Sequence, residues 1–168
     1  MGTPCFIAKE IGENQYRTIY CNFDGYLEHV GVKLARHYNT EEMVDKLLEL
    51  GDISCLYENL TPDPNKPHDE LHQQKGVTLA YGRDCGVKDF PATIKTLDEL
   101  DNDEMWTETT YIFTKDKEWK YFHIGHLVEG LKELAPVVEK IEAIQEQEAQ
   151  DEDLNDEDVE ETMRMGLT

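Results

Sequence analysis

Two histidines, His68 and His72, have a spacing that could hold a metal ion, because they lie four positions apart in the segment HDELH. On a helix this spacing places both imidazoles on one face, as in the zinc-binding H-E-x-x-H motif, although Asp69 stands where that motif has Glu. The segment directly follows a stretch with three prolines, so the helix that the motif needs is not expected. We therefore predict neither a metal site nor a cofactor.

Residue types for nucleophilic catalysis are few in this chain. Ser54 is the only serine, and it lies in an apolar setting. The four cysteines contain no C-x-x-C pair and have no histidine partner nearby in the sequence: Cys5, Cys21, Cys55 and Cys85. Reduced and mostly buried thiols are the ordinary state of cysteines in a cytosolic chain. Phosphate-binding glycine motifs and the G-x-S-x-G nucleophile elbow are also absent from the sequence. These observations predict a protein that is not an enzyme.

A small anionic ligand, such as a signal nucleotide, could bind where a helix is predicted to begin. Asp24, Tyr26 and His29 surround that point, and free N–H groups at a helix start favour an anion. Arg83, flanked by Gly82 and Gly86, could supply a guanidinium for the same anion. The alternatives are that Asp24 caps the helix and that Arg83 pairs with its neighbour in the chain, Asp84.

The C-terminal residues 137–168 have the strongest charge pattern, with twelve carboxylates against two cations. The other 136 residues hold 25 acidic and 14 basic residues, and the whole chain has a net charge of −21. This chain lacks the Lys and Arg stripes that neutralise phosphates, so we expect no direct contact with nucleic acid. Its expected partner is a cationic protein, such as one that itself binds nucleic acid.

The residues predicted to contact such a partner are carboxylates at helical spacing in the acidic end, together with an aromatic residue that follows another acidic stretch. They are Glu139, Glu142, Glu146, Glu148, Asp153 and Trp106. A helix studded with carboxylates could imitate the charge density of nucleic acid and occupy a basic groove. The competing interpretation is a solvated acidic tail that keeps the protein soluble.

The elements that would position these residues indicate an α+β fold, in which a small antiparallel sheet packs against helices and a C-terminal acidic helix or tail follows. We predict a hairpin, two helices separated by the N-cap Thr40, a proline-rich loop, a helical turn after Thr96 and a second hairpin. Alternating aromatic residues in the second hairpin predict one core face and one exposed face. The predicted domains are a globular part, residues 1–136, and an acidic extension, residues 137–168.

No segment has the length of a transmembrane helix, and the N-terminus lacks the pattern of a signal peptide. The sequence therefore predicts a soluble, cytosolic protein that does not bind membranes. A homo-oligomer is compatible with the sequence.

Several segments resemble a family of uncharacterised small proteins from bacteriophages, prophages and mobile elements. The resemblance covers roughly residues 5–86, about half of the chain, and not the acidic end; it is carried by 16–31, 37–39, 50–54 and 76–84. It implies an origin in a virus or mobile element of bacteria. Together with the acidic end, it leads to the hypothesis of a counter-defence protein that inhibits a nucleic-acid-handling defence protein in the bacterial cytosol.

Overall fold

Eight strands form one sheet in the computed structural model, which describes residues 2–87, 90–102 and 106–166, with side chains up to Glu152. The strands are β1 Cys5–Gly12, β2 Gln15–Cys21, β3 Ile53–Cys55, β4 Leu79–Ala80, β5 Thr93–Lys95, β6 Thr109–Phe113, β7 Trp119–His123 and β8 Lys132–Glu133. The α-helices are α1 Val32–His37, α2 Glu41–Glu49, α3 Tyr81–Asp84, α4 Leu97–Leu100 and α5 Leu134–Gly166. A π-helical turn, Leu27–Gly31, precedes α1, and a 3-10 turn, Leu127–Glu129, precedes β8.

The sheet has the order β4-β3-β2-β1-β6-β7-β8, and β5 pairs with β2 beside this path. Both predicted hairpins are confirmed, because β1 pairs antiparallel with β2 and β6 with β7. The α+β class is also confirmed. The sheet is larger than predicted, however, and it is mixed, because β1 runs parallel to β6 and β2 runs parallel to β3.

Apolar side chains cover both faces of the sheet. On one face, Ile7, Tyr111 and Trp119 pack with residues of α1, α2 and α5. On the other face, Phe6 and Phe122 pack with residues of α4 and the 3-10 turn. The predicted exposed face of the second hairpin is therefore wrong, since the side chains on each face of the strands have apolar elements to bury them.

The local start and stop signals of the second predicted helix are confirmed. Thr40 caps α2, because its Oγ1 accepts a hydrogen bond from the backbone N–H of Met43 at 3.3 Å. Gly51 follows this helix with a φ of 72°. A Cβ at this position would lie 2.2 Å from the carbonyl oxygen of Phe90, so both the backbone conformation and the space require glycine.

The acidic end of the chain is helical, because α5 runs from Leu134 to Gly166. Pro136 lies in its first turn, where the missing N–H group disturbs no helical hydrogen bond. The predicted domain boundary at residue 136 therefore falls inside this helix. Leu134 and Val138, on either side of the boundary, are both buried in the core. None of the helices described is long and apolar enough to cross a membrane.

Candidate partner-binding surface

The first turns of α5 are anchored in the core. Leu134 and Val138 have relative exposures of 0% and 1%, and they belong to the cluster that also contains Val30 and Leu34. Gly31 lies beside this anchor, since a Cβ there would be in ordinary van der Waals contact with Cδ1 of Leu134 at 3.4 Å. The helix therefore begins from a fixed point on the body of the protein.

An ion pair fixes the next turn of α5 against α1. Arg36 Nε donates to Glu142 Oε1 at 2.7 Å, and the Nη2 group of the same guanidinium contacts this oxygen as well. Glu142, which the sequence predicts as a partner contact, is thus already used within the protein. Arg36 was missed by the sequence analysis, because no local pattern pairs two residues that lie 106 positions apart.

Beyond Glu142 the helix leaves the body. Every residue in the range 143–152 is exposed, including the apolar Ile144 at 57%. Glu148 lies two heptads after Leu134, and Glu152 lies two heptads after Val138. Both glutamates are therefore on the side of the helix that is buried in the first turns. Carboxylates on that side cannot pack against an apolar core, and this part of α5 accordingly has no covered face.

The predicted partner residues on this exposed part are available to a second molecule. Glu146 and Glu148 make no hydrogen bond or ion pair to the part of the chain that the structure describes. Glu139 is also exposed and adds to the charge near Arg36. Asp153 lies in the same helix, but its side chain is outside the described ones.

The charge density of α5 is comparable with that of nucleic acid. The helix has 33 residues and is therefore about 50 Å long. Ten carboxylates and no cation occupy residues 146–161, a stretch of about 24 Å along the axis. This gives one negative charge per about 2.4 Å, which lies between the values of about 1.7 Å for a DNA duplex and about 3.4 Å for one strand.

This arrangement costs helix stability. Like charges three or four positions apart repel each other by a few tenths of a kcal/mol per pair. Carboxylates in the last turns also face the negative end of the helix dipole. The fold itself gains nothing from these charges, since the described ones beyond Glu142 contact no cation.

Trp106, the predicted aromatic contact, is 83% exposed. Its backbone has a φ of 58°, a conformation that costs a non-glycine residue about 1–3 kcal/mol. Trp106 lies three positions before β6 in the sequence, whereas α5 follows that strand. An indole in solvent on a strained backbone is a feature of binding contacts rather than of core packing.

The guanidinium of Arg83, which is predicted to bind an anionic ligand, already donates hydrogen bonds to other groups of the protein. Its Nε and Nη2 donate to the two carboxylate oxygens of Asp84 at 2.8 and 2.9 Å. Further N–H groups donate to the carbonyl oxygens of Leu60 at 2.6 Å and Thr78 at 2.9 Å. The structure therefore shows the alternative pairing with Asp84, and an anion would have to displace these bonds.

The other three residues predicted to bind an anion lie around the start of the π-helical turn. His29 Nε2 donates to the carbonyl oxygen of Leu56 at 2.8 Å, and its ring lies edge-on to Tyr57 at 5.5 Å. Tyr26 precedes the π-helical turn and is 42% exposed; partial burial, and then the nearby Asp24, raise the pKa of its hydroxyl. Asp24 does not cap this turn through its side chain, because the N-cap position belongs to Tyr26.

The two histidines of the HDELH segment point to different environments. The side chain of His68 is buried, with Nε2 3.0 Å from the carbonyl oxygen of Thr78 and Nδ1 accepting from the backbone N–H of Gln74 at 3.1 Å. His72 is exposed and contacts Asp69 at 3.0 Å. Across the residues described, no group of three or more His, Cys, Asp or Glu side chains could hold a metal ion.

Comparisons with known proteins add no assignment to this geometry. We found no matching protein-family model, no matching curated protein and no matching solved structure. The resemblance to a family from bacteriophages and mobile elements thus stays a prediction.

Proposed function

We propose that this protein inhibits a basic nucleic-acid-binding protein by inserting the exposed part of α5 into its nucleic-acid groove. The observation that carries the proposal is the stretch beyond Glu142, where residues 143–152 are exposed on all sides and acidic residues continue along the helix. A helix that is anchored at one end and charged at the density of a nucleic acid strand fits a groove lined with Lys and Arg.

The anchoring of the helix supports the same proposal. A flexible acidic segment would lose conformational entropy on binding, whereas a preformed helix has already been ordered during folding. Core residues Leu134 and Val138 and the Arg36–Glu142 ion pair hold the base of the helix, so its carboxylates approach a partner as a rigid set.

The biological setting of the proposal comes from the sequence resemblance. A virus or mobile element of bacteria gains from blocking host nucleases, so the proposed target is a restriction, CRISPR or related defence nuclease in the host cytosol. The second hypothesis, an anion-sequestering protein, loses support from the structure because the guanidinium of Arg83 is engaged by Asp84 and two carbonyl oxygens.

A charge-reversal experiment tests the proposal against a panel of purified restriction and CRISPR nucleases. The α5 variant carries four carboxylate-to-lysine changes, at Glu146, Glu148, Asp151 and Glu152. The control variant changes the same number of exposed carboxylates on the body, at Glu13, Glu49, Glu70 and Asp116. Glu142 is left intact in both, because its ion pair anchors the helix.

We expect the wild-type protein to compete with DNA for at least one nuclease, with an affinity that falls steeply as salt rises from about 0.05 to 0.2 M. The α5 variant should lose inhibition, while the body variant should keep most of it despite its identical net charge. Full inhibition by the α5 variant would contradict the proposal. Equal loss in both variants would reduce the effect to net charge alone.

A further inference from the structure

An open cleft of about 760 Å³ lies on the protein surface, between α4, the segment before β6 and the turn after β7. Its walls contain three carboxylates, Asp98, Asp101 and Glu108, and two exposed histidines, His123 and His126. None of these residues belongs to α5, so the cleft is a separate feature from the acidic helix.

Two of the carboxylates are unpaired among the residues that the structure describes. The side chains of Asp98 and Glu108 are exposed and make no hydrogen bond or ion pair there. Asp101 differs, because its Oδ1 accepts the backbone N–H of Gly125 at 2.7 Å and holds the turn that forms one wall. The cleft therefore combines a fixed wall with free acceptor groups.

A threonine in the segment before β6, which forms another wall of the cleft, gives an independent sign of a ligand site. Thr107 is only 4% exposed, and its Oγ1 is a buried oxygen without a hydrogen-bond partner in the described part of the chain. Most buried polar atoms in native proteins have a partner, since an unsatisfied one costs desolvation free energy. A ligand that donates to this hydroxyl would supply the missing bond.

Large apolar side chains lie beside the cleft in the sequence. Trp106 directly precedes Thr107 and is 83% exposed, and Val128 follows His126 by two positions and is 93% exposed. An exposed indole next to a pocket is a frequent centre of protein–protein contact. A free amine would leave these side chains in water, whereas the surface of a partner protein would cover them.

We propose that this cleft receives an arginine side chain of a partner protein, with Trp106 covered by the surrounding surface. A guanidinium has five N–H donors in a planar fork, which matches acceptors from two walls of the cleft, Asp98 on α4 and Thr107 and Glu108 before β6. The positive charge complements the carboxylates, and the Thr107 hydroxyl accepts one of the N–H groups. The inference does not depend on the role of α5.

Nuclear magnetic resonance titration with a capped peptide, acetyl-Gly-Arg-Gly-amide, tests the site in the full-length protein. The matched probe replaces arginine by citrulline, which keeps the shape and removes the charge. We expect the arginine peptide to shift the amide signals of Gly125 and Thr107 and the indole N–H signal of Trp106, and the citrulline peptide to shift none of them. Spermidine serves as a small-amine probe and should leave the indole signal of Trp106 unchanged.

The variant Thr107→Val separates ligand recognition from stability. It removes only the unpartnered hydroxyl, so the unfolding temperature should stay equal or rise, while the arginine peptide binds about tenfold more weakly. Thr93→Val, an exposed position outside the cleft, should change neither quantity. The proposal is overturned by equal binding of the citrulline peptide, by tighter binding of spermidine than of the arginine peptide, or by no shift at about 10 mM peptide.

Discussion

Ending the chain at Pro136 is expected to destabilise the protein strongly, whereas ending it at Gln145 is not. A chain that stops at Pro136 keeps only three residues of α5, too few to form a stable helix. It loses the buried Val138 and leaves Leu134 without a helix to hold it in the core. A chain that stops at Gln145 keeps both, and it also keeps the Arg36–Glu142 ion pair.

The size of the effect follows from these two side chains. Burying a valine or a leucine completely contributes about 1.5–3 kcal/mol each, so removing Val138 and exposing Leu134 together cost about 3–6 kcal/mol. Domains of this kind have a total stability of about 5–15 kcal/mol. For a chain of 150–250 residues, each kcal/mol shifts the unfolding temperature by about 2–4 °C, which gives a decrease of roughly 6–24 °C.

Thermal unfolding followed by circular dichroism near 220 nm measures both truncated chains and the full-length protein. The chain ending at Gln145 is the control, since it also lacks the dense acidic part of α5. If both truncated chains unfold at the same temperature, the reasoning is refuted, and residues 1–136 fold without help from α5.

Two further predictions concern partly buried ionisable groups. Burial raises the pKa of Asp52, so folding favours its protonated form, and the contribution of Asp52 to stability falls as pH rises from about 4, its ordinary pKa, through its raised pKa in the folded state. Asp52→Asn should therefore be at least as stable as wild type in urea unfolding at pH 7, because an amide oxygen can still accept the 2.8 Å bond from the N–H of Tyr20; a loss above about 1 kcal/mol would contradict this. Among the four thiols, the partly exposed Cys85 should react first with a disulfide reagent in the native protein. Burial, and then nearby carboxylates, raise the pKa of Cys85, so its reaction rate should still increase above about pH 8.5; a plateau at lower pH would show that this cause is wrong.

Features that depend on a few adjacent residues could be predicted from the sequence. Thr40 before two glutamates and Gly51 after a leucine-rich stretch mark both ends of α2, because capping and left-handed geometry are local requirements. Thr96 and Glu99 likewise form a capping box at the start of α4, where a helical turn was predicted.

Features that join distant segments could not be predicted in this way. The parallel pairing of β1 with β6 leaves no periodic mark in either strand, and it converts the predicted antiparallel sheet into a mixed one. The partner of Glu142 was undetermined for the same reason, because an exposed charge in a sequence does not reveal which distant group it meets. The acidic cleft and the unpartnered hydroxyl of Thr107 also require the fold, since their residues come from three separate segments.

The central position of β1 has a consequence for folding during synthesis. The hairpin of β1 and β2 can form as soon as both strands leave the ribosome, but Cys5 also pairs with Thr109 across the other edge of β1. At about 5–20 residues per second, the ribosome needs roughly 5–20 s to add the intervening residues. During that interval the N–H and C=O groups on this edge of β1 have no strand beside them, and they can pair with another nascent chain. Folding of this protein thus has a high contact order, and its slowest steps await the synthesis of β6.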